Sequence, residues 1–354
     1  MSPISMNPPG WDRQHGGEMP GTYGDIDGRA DRGDVVFAYA VRRVTATVPV
    51  LILATFFVYV LVSVANDPLA RLATCTACDE AAYERIVQLY DLDQPIPVRF
   101  VGWIGDAMQG DLGISTSLGE REVTPILLER AWNTALLAVP AFVLIAITAV
   151  ILSVFSAVRQ YTLGDYLITG GSFLGIAMPT FFFGLLLQVA FGVWWQDWTG
   201  TKPFYVTGMH LESFGDYLSS AGLPIFTLAL VIVATESRFG RASMLEVINA
   251  DYIRMARSKG LSEGRVITGH ALRNALIPIV TLWALDFSAL LGGSVITETI
   301  FAWPGLGQLL LNALTAQDLD LVMAIVVFIA VVTIGFNLIA DLLYGVLDPR
   351  VRYD

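Results

Sequence analysis

The sequence predicts an all-α, polytopic membrane protein with six transmembrane helices, and three observations carry that fold class. Of its 354 residues, 55% are hydrophobic and only 15% are charged, and the mean hydropathy is +0.61. A soluble domain has too little interior to bury that much apolar surface. A span needs roughly 20 mainly apolar residues, and such windows recur at about Val44–Val64, Thr134–Val158, Tyr166–Trp195, Leu223–Glu236, Ile277–Val295 and Leu321–Leu343. Lys and Arg also gather in alternate loops, as the positive-inside bias requires.

Residues 1–36 are rich in Gly, Pro, Asp and Arg without an apolar period, which predicts a disordered cytoplasmic tail before a membrane domain over 37–354. Arg42-Arg43 directly precede the first window. That window is longer than a signal-peptide core, so it reads as an uncleaved span despite Ser63-Val64-Ala65.

Residues 66–131 form a large external segment holding eleven Asp or Glu against five Arg. Within it, Ala81–Leu89 reads as a short amphipathic helix and Asp91–Pro97 as an extended connector. Phe100–Met108 reads as a further helix, ended by Gly110-Asp111-Leu112-Gly113. Thr124-Pro125 has the pattern of a capping Thr and a first-turn Pro, which predicts an interfacial helix ahead of the span at Thr134. Cys75 and Cys78 make a C-x-x-C with no second Cys pair or His cluster, so a four-ligand zinc site is unsupported. A local disulfide and two unpaired thiols stay open as alternatives.

The third window is overlong and contains Pro179, predicting one kinked span with an external extension. Its Gly170, Gly171 and Gly175 permit close helix approach, within the subunit or against another. The fourth window is short and needs Ser219–Gly222 or Ser237–Phe239 to complete it. There is no internal repeat.

With the N-terminus inside, the cytoplasmic face receives Arg42, Arg43, Arg159, Arg238, Arg241, Arg254, Arg257, Lys259, Arg265, Arg273, Arg350 and Arg352. The opposite face receives Arg71, Arg85, Arg99, Arg121, Arg130 and Lys202 over much longer segments. Six spans return the C-terminus to the cytoplasm.

Between the fourth and fifth spans, residues 238–276 form a cytoplasmic loop too long and too patterned for a turn. Asp251–Ser258 has helical propensity, Gly260 is placed to end it, and Leu261-Ser262-Glu263 restarts a second helix with Ser262 as its cap. The first helix is expected to present Tyr252, Met255 and Ala256 on one side and cations on the other. A helix–Gly–helix with an exposed apolar and aromatic stripe suits docking into a groove on another protein.

The chain contains only two lysines, Lys202 and Lys259, and neither follows a Gly. The phosphate-binding loop G-x-x-x-x-G-K-[ST] is therefore absent, and the chain is no P-loop ATPase. His15, His210 and His270 lie far apart, and no G-x-S-x-G or H-E-x-x-H occurs, so an enzyme reading is poor. The net charge of −11 does not suggest nucleic-acid binding.

The loop resembles the cytoplasmic loop of ABC importer permeases, of general form E-A-A-x3-G-x9-I-x-L-P. Aligned on Gly260, Arg254-Met255-Ala256 stands at E-A-A and His270-Ala271-Leu272-Arg273 at I-x-L-P, so Ala256, Gly260 and Leu272 agree. The variant A-R-S-K-G-L-S with H-A-L-R-N-A-L-I-P is similar to the dipeptide, oligopeptide and nickel branch, the permease B subunits in particular. Further segments in the right order are Leu92-Asp93-Gln94-Pro95, Gly110-Asp111-Leu112-Gly113, and Glu298-Thr299-Ile300-Phe301 with Pro304-Gly305-Leu306-Gly307. The last runs from Asn337 through Asp341-Leu342-Leu343-Tyr344 to Asp348-Pro349-Arg350. The resemblance covers about residues 40–354.

The resemblance implies a type I ABC importer permease fold with di- or oligopeptide cargo. It implies four partners: a second homologous permease, two cytoplasmic ATPases, and an extracytoplasmic substrate-binding protein. No cofactor is expected in this chain, since ATP and Mg would sit on the ATPases. The loop becomes the coupling helix, with Tyr252, Met255, Ala256 and Gly260 as docking surface and Arg254, Arg257 and Lys259 as rim charges. Asp286, near the middle of the fifth span, is the candidate translocation-path residue, with packing against a neighbouring helix as the alternative. Glu236 and Asp341 are expected near cytoplasmic helix ends. Glu298, Phe301, Pro304, Gly305 and Gly307 are expected to form a partly re-entrant turn at the outer mouth, open to a delivery protein. Nickel-complex or glutathione import are the alternatives within the branch. A secondary transporter would need several mid-membrane ionisable residues and paired broken helices.

Overall fold

The computed structural model describes residues 32–65, 80–89 and 91–347. Most of the N-terminal tail, Cys75 and Cys78, and the segment from Asp348 onward lie outside the described residues. Helix α1 runs Arg32–Ala65, starting inside the stretch expected to be tail. The external segment carries α2 (Glu80–Leu89) and α3 (Ile96–Ala107), the latter opened by Pro95 and Pro97. Gly110 and Gly113, both at positive φ, turn the chain. A two-residue hairpin follows, Ile114–Ser115 antiparallel to Arg121–Glu122, which the all-α expectation did not contain.

Helix α4 is one piece, Val123–Val158. The expected Thr124 cap is not formed. The helix starts a residue earlier, and the Thr124 hydroxyl instead donates to the Gly110 carbonyl at 2.9 Å. No interfacial helix separates from the span, because Pro125 falls in the first turn, where its missing N–H costs nothing.

Helix α5 (Leu163–Ala177) and helix α6 (Thr180–Val189, continued to Thr199 through a π-helical turn at Ala190–Trp194) meet at 104°. Pro179 forces the break. The residue before a proline is pushed out of the helical region, and Met178 is extended at φ −88°, ψ 124°. The expected kinked span is thus a pair of arms bent by 104° at Pro179.

Helix α7 (Phe214–Ile248) absorbs both flanks proposed for the short fourth window. It begins where the Ser213 hydroxyl accepts from the Asp216 N–H at 3.1 Å. Helix α8 (Asp251–Ser258) lies in the loop. Helices α9 (Ile277–Gly293), α10 (Val295–Ile300), α11 (Leu306–Thr315) and α12 (Leu319–Leu347) complete the chain. Among the described residues five helices are long and apolar enough to cross a membrane, and six spans result if the bent pair counts as one.

In the bundle, α4 packs along α7, and α9 and α1 pack along α12. Gly175 lets α5 approach α7, since a Cβ there would lie 3.1 Å from that of Ala234. Gly170 and Gly171 meet nothing within 4 Å in this chain. At the loop end of the bundle, Arg241 on α7 donates from Nε to Ser156 on α4 (2.9 Å) and to Asp165 on α5 (3.1 Å). Its Nη2 donates to the second Asp165 oxygen at 3.0 Å, and Ser156 also donates to Asp165. Three helices are thereby clamped together two turns above the loop.

Candidate functional site

The loop helix α8 sits where its sequence signals put it. Asp251 lies in its first turn and Arg257 in its last, each complementing the helix dipole. Gly260, at φ +79°, takes the left-handed conformation that ends the helix. Ser262 occupies the cap position of the next turn, but its side chain makes no capping bond. That turn continues as a π-helical stretch, Val266–Ala271, and Leu272–Ala275.

The anchor of α8 is Ile253, which is fully buried with Met244, Val266, Ala271, Ala275 and Ala157. Sequence reasoning passed over Ile253 in favour of its neighbours. The signal was the i, i+3 pair it makes with Ala256. Ala256 is half-buried against the same cluster, so it belongs to the anchoring face and not to the outward stripe. The outward surface consists of Tyr252 (42% exposed) and Met255 (56% exposed), with Arg254, Arg257 and Lys259 around them, all exposed. The expected separation of apolar and cationic sides is therefore corrected to one mixed exposed face over one buried face.

Two contacts stiffen this surface. The Tyr252 hydroxyl accepts from Asn274 Nδ2 at 2.9 Å. Arg257 pairs with Glu263 across the Gly260 turn through two hydrogen bonds, 2.7 and 3.1 Å. The pairing holds the Glu263 carboxyl below its ordinary range and raises the Arg257 guanidinium.

In mid-bundle, Asp286 on α9 is half-buried. It lies about one turn along α9 from Trp283, which bonds Glu236 on α7. The expectation for Glu236 is overturned. It is 3% exposed, its Oε2 accepts from Trp283 Nε1 at 3.0 Å, and its Oε1 is buried without a partner. The cause is the length of α7, which continues to Ile248 and leaves Glu236 far from the helix end. The Asp341 side chain lies outside the described residues.

At the opposite end of the bundle, the Glu-Thr-Ile-Phe and Pro-Gly-Leu-Gly segments form a tight turn between α10 and α11. Glu298 is fully buried. Its Oε1 accepts from Ser294 (2.5 Å) and Thr134 (2.8 Å), and its Oε2 from the Gln308 N–H (3.0 Å). The Thr134 hydroxyl in turn accepts from the Leu306 N–H at 2.8 Å. Trp303, also fully buried, donates to the Asn133 carbonyl at 2.8 Å. A Cβ at Gly307 would lie 2.5 Å from the Val295 Cα, so only glycine permits this closeness. Phe301, Gly305 and Gly307 are buried and Pro304 is half-buried. These five residues build the turn and offer little surface to a delivery protein, contrary to expectation.

No cluster of three or more His, Cys, Asp or Glu fit to hold a metal occurs among the described residues.

Against known families, residues 149–353 match the binding-protein-dependent transport system inner membrane component. Residues 36–120 match the N-terminal part of the membrane component of such systems. The oligopeptide transport system permease protein AppB of Bacillus subtilis (strain 168) is 37% identical over 316 residues, covering 89% of this chain and 99% of the relative. A putative peptide transport system permease protein of Brucella abortus (strain 2308) is 36% identical over 320 residues, covering 90% and 99%. The oligopeptide transport system permease protein OppB of Mycobacterium tuberculosis (strain ATCC 25618 / H37Rv) is 35% identical over 322 residues, covering 89% and 98%.

Proposed function

Because this chain belongs to the family of binding-protein-dependent transport system inner membrane components, we propose that it is one transmembrane subunit of an ATP-driven ABC importer of di- or oligopeptides. Its partners in this reading are a second, homologous permease, two cytoplasmic ATPases that bind the ATP and Mg, and an extracytoplasmic substrate-binding protein. Both termini and the α8 loop face the cytoplasm of a bacterial plasma membrane. The Arg and Lys bias between the two sets of loops supports that orientation.

The observation that carries the proposal is the construction of α8. A helix rooted by one buried Ile253 displays Tyr252 and Met255 to solvent. An exposed aromatic and a flexible thioether are the side chains that dominate protein interfaces. The surrounding cations steer and orient the contact more than they hold it.

When two ATPases close on nucleotide, α8 moves with the cleft it occupies. The motion reaches the membrane because α8 follows α7 after a two-residue link, and Arg241 locks α7 to α4 and α5. The result is a rigid-body switch between two access states, with differential binding of nucleotide and cargo setting the balance. Asp286 is assigned to the path that cargo follows. A half-open carboxyl in mid-span does not face lipid, so it faces a partner or a watery cavity.

The test is uptake per ATP hydrolysed in the reconstituted complex. Gly260→Pro cannot adopt φ +79° and Tyr252→Asp places a charge in the docking face. Both are expected to insert normally, bind ATPase weakly and lose peptide uptake. Full uptake with either change would sink the coupling assignment.

A further inference from the structure

Helix α3 does not stand clear of the membrane domain. Its buried residue, Phe100, packs edge-on against Phe56 at 5.1 Å and Tyr59 at 5.5 Å. Those two lie nine and six residues before the end of the first span at Ala65, about 14 and 9 Å down the helix axis. Helix α3 therefore lies at the level of the bilayer boundary, where it exposes Val98 at 51% and Val101 at 69%. Between α3, α1, the turn at 111–114 and the first turn of α12 is an open cavity of about 250 Å³. Arg99 is the one cation of its lining. The guanidinium sits 5.9 Å from the Tyr59 ring centroid, and no ion pair among the described residues reaches it. Arg99 Nε and Trp103 Nε1 are buried and find no acceptor. The rest of the charged lining is Asp91, Asp106, Asp111 and Asp320. Asp111 and Asp320 each accept one backbone N–H, from Gly113 at 2.9 Å and Ile114 at 3.3 Å. Among the described residues no group of three His, Cys, Asp or Glu could hold a metal ion. The lining therefore suits an organic cation that also carries an acceptor for Arg99. A shallow apolar hollow of Pro97, Val98 and Val101 adjoins the cavity and shares Asp91, Arg99 and Gly102 with it.

We propose that this cavity seats the headgroup of a phospholipid that bears a primary ammonium. The phosphate takes Arg99 as a charge-assisted donor. The ammonium supplies three N–H donors to the carboxyls, and an acyl chain lies along Val98 and Val101. The surplus of carboxyls over Arg99 turns away an anionic headgroup without an ammonium. A quaternary headgroup carries the positive charge but has no N–H to give. A basic side chain of a docking protein would satisfy the carboxyls, yet it would set a second cation beside Arg99 and bring no acceptor. The bound lipid fills the space between α3 and the first turn of α12, and so holds the external segment against the spans. None of this depends on the cargo, so the inference stands or falls apart from peptide import.

The experiment is native mass spectrometry of the full-length chain in detergent with equimolar phosphatidylethanolamine, phosphatidylcholine and phosphatidylglycerol. The wild type is expected to retain the ethanolamine lipid at least about tenfold over the other two. A Cβ at Gly102 meets nothing within 4 Å, so Gly102→Leu puts its side chain into the space that the cavity and the hollow share. Gly102→Leu and Arg99→Gln are each expected to bring the three lipids to equal retention. In parallel, added phosphatidylethanolamine is expected to raise the thermal unfolding temperature of the wild type and of neither variant. Equal retention of all three lipids by the wild type overturns the proposal, whether or not the variants fold. Choline lipid held as well as ethanolamine lipid also overturns it, because the ammonium N–H groups would then not be read. A preference that survives in both variants removes the lipid from this cavity. Variants that keep the preference but lose a delivery protein would make the cavity a protein dock and overturn the lipid assignment.

Discussion

The two ends of the bundle use the same materials in opposite ways. Each is a helix–turn–helix with a glycine at the corner and an acidic residue beside it. At the α8 loop one buried side chain, Ile253, with half-buried Ala256 beside it, roots a helix whose other side chains are exposed. At the α10–α11 turn, Glu298, Phe301 and Trp303 are all buried and the hydrogen bonds close inward. Both segments read in the sequence as contact surfaces. At the loop end the residues expected to make contact are mostly exposed, whereas those of the turn are buried or half-buried. An open, singly rooted element is suited to be moved by a partner, and a closed, multiply braced one is suited to stay fixed while the rest moves.

Variants at the two ends should break differently. Glu298→Ala orphans the hydroxyls of Ser294 and Thr134 and the Gln308 N–H in a fully buried site. The expected loss is about 3 kcal/mol or more, seen as a large fall in thermal unfolding temperature in detergent and in membrane yield. Glu298→Gln keeps an acceptor oxygen and should fall between the two. Normal stability of the alanine variant would remove the contrast.

Ile253→Ala deletes the single root of α8 and should cost about 2–4 kcal/mol locally. Because that cost is confined to one small cluster, the spans should survive. Limited proteolysis should cut the 249–276 loop faster while global unfolding shifts little. A global collapse would make α8 part of the main core.

Gly260→Ala strains a left-handed position by about 1–2 kcal/mol, and a modest drop in uptake at preserved expression is expected. Smallest of all is the exposed Arg257–Glu263 pair. Arg257→Ala should leave the unfolding temperature unchanged within error, since such pairs are screened by salt. The sign of its pH dependence is fixed by the lowered Glu263 carboxyl. Whatever the pair contributes is fully present above the ordinary glutamate range and is lost as pH falls through the lowered value. A stabilisation appearing on acidification would contradict the pairing.

Much of this was legible in the sequence where the signal is local. Apolar run length located the spans, and Asp251, Ser258 and Gly260 bounded α8 to the residue, because caps and left-handed glycines act within one turn. What escaped depends on residues distant in the chain. Glu298 is defined by Thr134, on a different helix, and Glu236 by Trp283, so hydropathy around each carboxylate could not tell buried from open. Pro179 announced a break, but its 104° angle is set by what the two arms pack against, including Ala234 on α7. Ile253 was hidden by its polar neighbours, since one buried residue in an eight-residue helix makes no run.

The proposed role of α8 is to seat an ATPase on its exposed face. The most direct measurement is co-purification of the ATPase subunits with this chain carrying Tyr252→Asp and Met255→Asp, alongside wild type and a Leu285→Ala control in the membrane. The account predicts that the double variant inserts at wild-type level but loses its ATPase partners and its peptide uptake together, while the control keeps both. Wild-type co-purification and uptake by the double variant would contradict it.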